Sequence, residues 1–127
     1  MGTTSGFKVS SEARDAYTQL KFNKKSGDYL LLSANWGTNT IELSEQGQVS
    51  GGVELKGKVA EGKPLHVIYD GGQRIAHIVW SPDDAPARDK MGISASVEAI
   101  QNQLEGLPAP KHISSGDELV TAINEVK

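Results

Sequence analysis

Few side chains in this sequence could carry chemistry. The 127 residues include three histidines, His66, His77 and His112, and no cysteine. Without cysteine there is no disulfide, thiolate zinc site, iron–sulfur cluster or cysteine nucleophile to build. The histidines share no metal-ligand spacing. His66 and His77 fall inside strand-like apolar runs, where a packed or surface histidine is the ordinary reading. Asp83-Asp84 could be half of a metal site, but between Pro82 and Pro86 the pair reads better as loop caps. No H-E-x-x-H, Walker loop, G-x-S-x-G or G-x-G-x-x-G occurs. Gly71-Gly72 lies within a hairpin rather than between a strand and a helix, so it cannot seat a phosphate at a helix N-terminus. These residues imply no metal and no cofactor. An enzyme whose groups assemble across the sequence is the weakest reading. The run that stands out is Arg88-Asp89-Lys90-Met91, two cations and a methionine after an acidic loop bounded by prolines. Cations at a helix start oppose its dipole, so a purely structural reason for them is weak.

The elements that must position these residues follow from periodicity. Ser10 is a good N-cap, and Ala13, Ala16, Tyr17 and Leu20 recur at helical spacing, which predicts a helix over 11–22. Tyr29 to Ser33 is a short apolar run of a strand buried on both faces, and Thr40 to Ser44 alternates as its hairpin partner. Five glycines make 45–63 hard to read, with a short helix around Val53–Ala60. Leu65–Tyr69 and Ile75–Trp80 form a second hairpin across Asp70-Gly71-Gly72. Beyond Pro86, the residues Ile93, Val97, Ile100 and Leu104 mark one face of a long helix that Gly106 and Pro108 end. A short extended piece around Lys111–Ile113 precedes a capping box, Ser115-Gly116-Asp117-Glu118, and a last amphipathic helix. A strand such as 29–33 needs cover on both sides. The expected architecture is therefore α+β, a three-layer α/β/α arrangement with a mixed sheet of about five strands. Length suits one domain over 10–127, after a flexible arm at 1–9 with little to bury.

The formal charge is −3, but it is unevenly spread. Residues 1–25 carry +3, residues 26–80 carry −2 and residues 81–127 carry −4. A sequence pI near 5.6 argues against a general nucleic-acid binder. The basic N-terminal stretch could still meet an acidic protein or acidic lipid headgroups. The longest apolar run, Tyr29–Leu32, is far short of the ~20 residues of a membrane helix, and Met1–Gly6 has no apolar signal core. The expectation is a soluble, monomeric, cytoplasmic protein.

The stretch Ile78-Val79-Trp80-Ser81-Pro82-Asp83-Asp84-Ala85-Pro86-Ala87-Arg88-Asp89-Lys90-Met91 resembles the hallmark of the actin-depolymerising factor/cofilin family. There a strand ends in Trp, followed by an acidic Pro loop, Ala-Pro, two basic residues flanking one position, and Met. Ala95-Ser96-Val97-Glu98-Ala99-Ile100 is similar to the family's following helix, and Ser5-Gly6-Phe7-Lys8-Val9-Ser10 to its N-terminal arm. The resemblance implies an ADF homology, gelsolin-like fold. It also implies a cytoskeletal, non-catalytic protein that binds actin monomers and filaments and promotes disassembly or severing. Ser5, Gly6, Phe7, Arg88, Lys90, Met91, Ala95, Ser96 and Ala99 would touch the monomer, and Ser5 would be the phosphorylation position. Small residues would let the helix enter an apolar cleft closely, with Met91 as a flexible plug. The family often binds phosphoinositides, and the cations of 8–25 would serve, though +3 is modest.

The sequence departs from this pattern. Gly92 and Ile93 stand where the family has an apolar residue and Tyr, and Val97 where it has Lys. The filament-side surface, a projecting hairpin and basic residues near the last helix, is reduced to a short tip with Arg74 and to Glu118 and Lys127 at an acidic tail. These departures lead to the expectation of full monomer binding and a reduced filament grip. The alternatives are a module that sequesters monomers or binds filaments without severing, and a non-actin adaptor that keeps the fold.

Overall fold

The structure, a computed structural model, describes residues 7–35, 37–59 and 63–126. In chain order the elements are β1 (Lys8–Val9), α1 (Ser11–Asn23), β2 (Asp28–Asn35), β3 (Thr40–Gln48) and α2 (Gly52–Lys56). They continue with β4 (Leu65–Asp70), β5 (Ile75–Trp80), α3 (Ala87–Gln103), β6 (Lys111–Ile113) and α4 (Gly116–Val126). The sheet has six strands in the order β1-β3-β2-β4-β5-β6, against the five or so expected. β1 pairs parallel to β3, β6 pairs parallel to β5, and the two hairpins are antiparallel.

The alternation along β2 explains the layers. Leu30 and Leu32 point to one face, where α1 contributes Tyr17 and Leu20, α3 contributes Ala99 and Ile100, and Leu104 follows at the C-cap of α3. Tyr29 and Leu31 point to the other, where α2 contributes Leu55 and α4 contributes Leu119, Ala122 and Ile123. Helices therefore cover both faces, as the buried run demanded. α1 is capped as expected, with the Ser10 side chain accepting from the Ala13 N–H at 3.1 Å. Lys24 closes the helix in the left-handed region, φ 52°. α2 is shorter than the sequence suggested and stops at Gly57.

One expectation is corrected. Residues 7–9, placed within a flexible arm, are packed. Phe7 and Val9 are buried, and the N–H groups of Lys8 and Ser10 bond to the carbonyls of Asn39 and Ile41. Alternation in β1 turns Val9 inward, and burial of Phe7 holds the segment there.

The β4–β5 turn docks against the end of α4. Arg74 Nη2 donates to the Glu125 carbonyl at 2.9 Å, and Lys111 pairs with Glu125 at 2.8 Å. Gly71 makes this approach possible, because a Cβ there would lie 1.9 Å from the Val126 carbonyl oxygen. Gly71→Ala is expected to lower the unfolding free energy by about 2 kcal/mol through overpacking, read as a shift of the urea midpoint.

Candidate functional site

The site is built on α3 and the loop that enters it. Trp80 ends β5, and the Ser81 N–H bonds to the Ile113 carbonyl at 3.0 Å, fixing where the loop leaves the sheet. Ala85 N–H turns back to the Pro82 carbonyl at 3.0 Å. Pro86 then caps α3 without a side-chain bond, its fixed φ of −58° suiting a helix entry. Lys90 reaches back across the first turn, its Nζ donating to the Asp83 carbonyl at 2.7 Å.

Helical spacing splits α3 into two faces. Gly92, Ile93, Ser96, Ala99 and Ile100 are buried against the sheet. Arg88, Asp89, Met91, Ser94 and Glu98 are exposed, with Lys90, Ala95 and Val97 between the two faces. Met91 is 65% exposed, one of three large apolar side chains so exposed among the described residues. An unbranched thioether held out in water, one helical turn from the exposed Arg88, suits a partner with an apolar slot and an acidic rim.

The expected contact residues therefore divide. Arg88 and Met91 share the outer face, with half-buried Lys90 and Ala95 at its edge. Ser96 and Ala99 do not reach it: both are buried, at 0% and 2% exposure. Phe7 is also buried, at 1%, and packs in the core beneath α1. Ser5, Gly6 and Lys127 lie outside the described residues, so the phosphorylation position has no structural account. The two filament-side residues that are described both serve the fold. Arg74 caps the end of α4, as above. The Glu118 carboxylate accepts from the Ser114 and Ser115 N–H groups at 3.0 and 3.2 Å, closing the capping box. Those bonds hold its pKa below the usual carboxylate range.

Sequence reasoning missed what lies under α3. His66 of β4 and His77 of β5 are both buried. His66 Nδ1 lies 3.0 Å from His77 Nε2, and His66 Nε2 lies 2.7 Å from Ser96 Oγ. Ser96 Oγ in turn donates to the Ile93 carbonyl at 2.8 Å. At the other end, Gln101 Nε2 sits 3.1 Å from His77 Nδ1 and donates to the Pro108 carbonyl at 2.7 Å. Burial pushes both imidazoles toward the neutral form, His66 well below its ordinary pKa and His77 to about 4. Gln103 was missed too. Its Oε1 accepts from the Val9 N–H at 2.8 Å, and its Nε2 donates to the Phe7 carbonyl at 3.1 Å, so α3 holds β1 through a single amide. A signal for the histidines was present: both occupy inward positions of facing strands. Nothing local announced the glutamines.

The comparisons with known proteins agree with this geometry. A family model described as cofilin/tropomyosin-type actin-binding protein matches residues 6–126. The chain belongs to the cofilin/ADF family. It is 31% identical to a cofilin of Saccharomyces cerevisiae over 113 residues, covering 81% of this chain and 78% of that protein. It is 28% identical to a cofilin of Yarrowia lipolytica over 113 residues, covering 81% and 73%. Among solved structures it superposes on actin depolymerization factor 2 of Plasmodium berghei with a TM-score of 0.79 at 19% identity, covering 97% and 99%. The sheet with helices on both faces is thus the ADF/cofilin fold, and the family is one of actin-binding, cytoskeletal proteins rather than enzymes. No helix among the described residues is long and apolar enough to cross a membrane.

Proposed function

We propose that this chain binds the actin monomer through the outer face of α3 and works in the cytoplasm to promote filament disassembly, with a weaker hold on the filament side. The observation that carries the reading is the division of α3. Its inner stripe is buried while Arg88, Met91 and the edge groups Lys90 and Ala95 stand together on the outside. By the family resemblance alone, Ser5 and Gly6 would also touch the monomer. Ser96 and Ala99 support that face from behind rather than touching the partner. Residues 10–127 act as one binding unit and need no bond chemistry. The energy of binding favours one filament state over another.

The weaker filament grip rests on Arg74 and Glu118, whose polar groups are engaged in capping α4. An acidic tail leaves little positive charge beside them. Co-sedimentation with filaments is expected to saturate at higher protein concentration than a monomer titration in the same buffer. Equal, tight binding to both forms would remove this part of the reading and leave severing as the better account. Phosphoinositide binding would use the cations of 8–25, of which Lys21 and Lys24 line an open cleft of about 530 Å³.

A further inference from the structure

We infer that Gln103 is a positioning residue for actin binding: its side-chain amide takes the place of a neighbouring strand along β1 and locks the N-terminal segment to α3, so that both meet the monomer as one rigid surface. The inference rests on the actin-binding reading for its partner and on the geometry of the amide for the lock.

β1 is an edge of the sheet and has only two residues. On one side, the Lys8 and Ser10 N–H groups donate to the carbonyls of Asn39 and Ile41 at 3.0 and 2.9 Å. On the other side the strand order ends, and the alternate backbone groups meet a side chain instead. Gln103 Oε1 accepts from the Val9 N–H at 2.8 Å, and Gln103 Nε2 donates to the Phe7 carbonyl at 3.1 Å. That carbonyl and that N–H, on either side of Lys8, are the pair that a strand running alongside would bond. Arg14 Nη2 of α1 lies 3.3 Å from the same Oε1. Two donors at one end and a carbonyl at the other admit only one orientation of the amide. Glu here would turn an acceptor to the Phe7 carbonyl, and Lys could not accept from Val9, so the two bonds together call for an amide.

The lock joins two parts of the proposed surface. Gln103 is the last residue of α3, and Met91 lies ~18 Å earlier along the same helix. The inner stripe of α3 is buried against the sheet, so the helix carries both positions as one body. At the far end of the lock, Phe7 is buried in the core beneath α1. A short strand held by a buried ring, by the carbonyls of Asn39 and Ile41, and by Gln103 has little freedom to swing. The residues before Phe7 therefore leave the fold from a point fixed relative to Arg88 and Met91. Without the amide, one edge of β1 is left to water, and the segment must be ordered again when the partner binds. Ordering it beforehand strengthens binding without adding a contact. Gln103 itself is half-buried with both ends of its amide engaged, so it acts through β1 rather than on the partner.

The test uses the full chain and monomeric actin. Gln103→Met keeps the length of the side chain and removes both bonds. Amide exchange should then quicken about tenfold at Val9 and stay unchanged in the central strands β2 and β4. Affinity for actin should fall about fivefold. Gln103→Glu keeps the acceptor for Val9 and loses the donor to Phe7; it should fall between the two, and it serves if Gln103→Met does not fold. A double-mutant cycle with Ser5→Glu separates positioning from a general loosening of the fold. A carboxylate in the N-terminal segment should weaken binding to an acidic partner in the unmodified chain, and weaken it less in Gln103→Met, where the segment can swing away. Additive losses, an affinity that Gln103→Met leaves unchanged, or a Ser5→Glu chain that binds as tightly as the unmodified one would overturn the inference while leaving the functional reading intact. If the unmodified chain does not bind actin, the functional reading has failed. The lock is then decided at Val9, where exchange that Gln103→Met does not quicken would overturn it.

Discussion

Between pH 6.5 and 4 the protein is expected to lose about 3 kcal/mol of unfolding free energy to His77 alone, because its pKa drops from an ordinary 6.5 to about 4 on folding. The cause is burial, which disfavours the charged ring. The unfolded chain takes up the proton near pH 6.5, whereas the folded one resists until about pH 4. Stability is therefore complete above pH 6.5, declines through the interval, and levels off with respect to this group below pH 4. His66, lowered for the same reason, adds in the same direction. The capping carboxylates do not confuse the measurement. Glu54 and Glu118 are held below their ordinary value of 4.5, so their contribution is kept down to about that pH and the slope from pH 7 to 5 reports the histidines. Urea unfolding at pH 7, 6, 5 and 4.5 reads the slope directly. A midpoint that stays constant from pH 7 to 5 would mean that neither ring is buried neutral as described.

The second large effect concerns binding. Arg88→Ala with Lys90→Ala is expected to weaken the actin complex at least tenfold, about 1.4 kcal/mol, while the thermal midpoint barely moves. Both side chains stand at the start of α3, where cations oppose the helix dipole and owe the helix little stability. Lys90 does bond to the Asp83 carbonyl, but at a solvent-exposed site, where such a bond contributes on the order of 1 kcal/mol or less. Arg88→Ala alone separates the roles, since it leaves the Lys90 tether in place. A monomer titration beside a melting curve distinguishes loss of affinity from loss of fold. Unchanged affinity in the double variant would place the partner elsewhere on the surface.

Much of the fold was legible because the layers leave periodic traces. The continuous run at 29–33 demanded cover on both faces, and the structure splits it between the two cores. The capping signals at Ser10 and Ser115 placed two helix starts correctly. β1 was not legible, because two residues beside a buried Phe7 make no pattern. The site was half legible. The cationic run and Met91 stood out because their chemistry conflicts with a helix start exposed to water. The inner face of α3 was misread one position away. The apolar spacing pointed to Val97 as a core residue, and the small residues Ser96 and Ala99 suggested a contact surface. Ser96 instead faces inward, where its Oγ lies 2.7 Å from His66 Nε2. Gln101 and Gln103 were invisible for a related reason. Their partners lie 24 and up to 96 residues away in sequence, and a polar bond at that range leaves no local signal.

The proposed function depends most on one contact, that of the outer face of α3 with monomeric actin. Titration of labelled actin monomers with the unmodified chain and with Arg88→Ala/Lys90→Ala tests it most directly. Saturable one-to-one binding is expected of the first and at least a tenfold weaker complex of the second. Saturable binding of equal strength by both, or none by the unmodified chain, would contradict it.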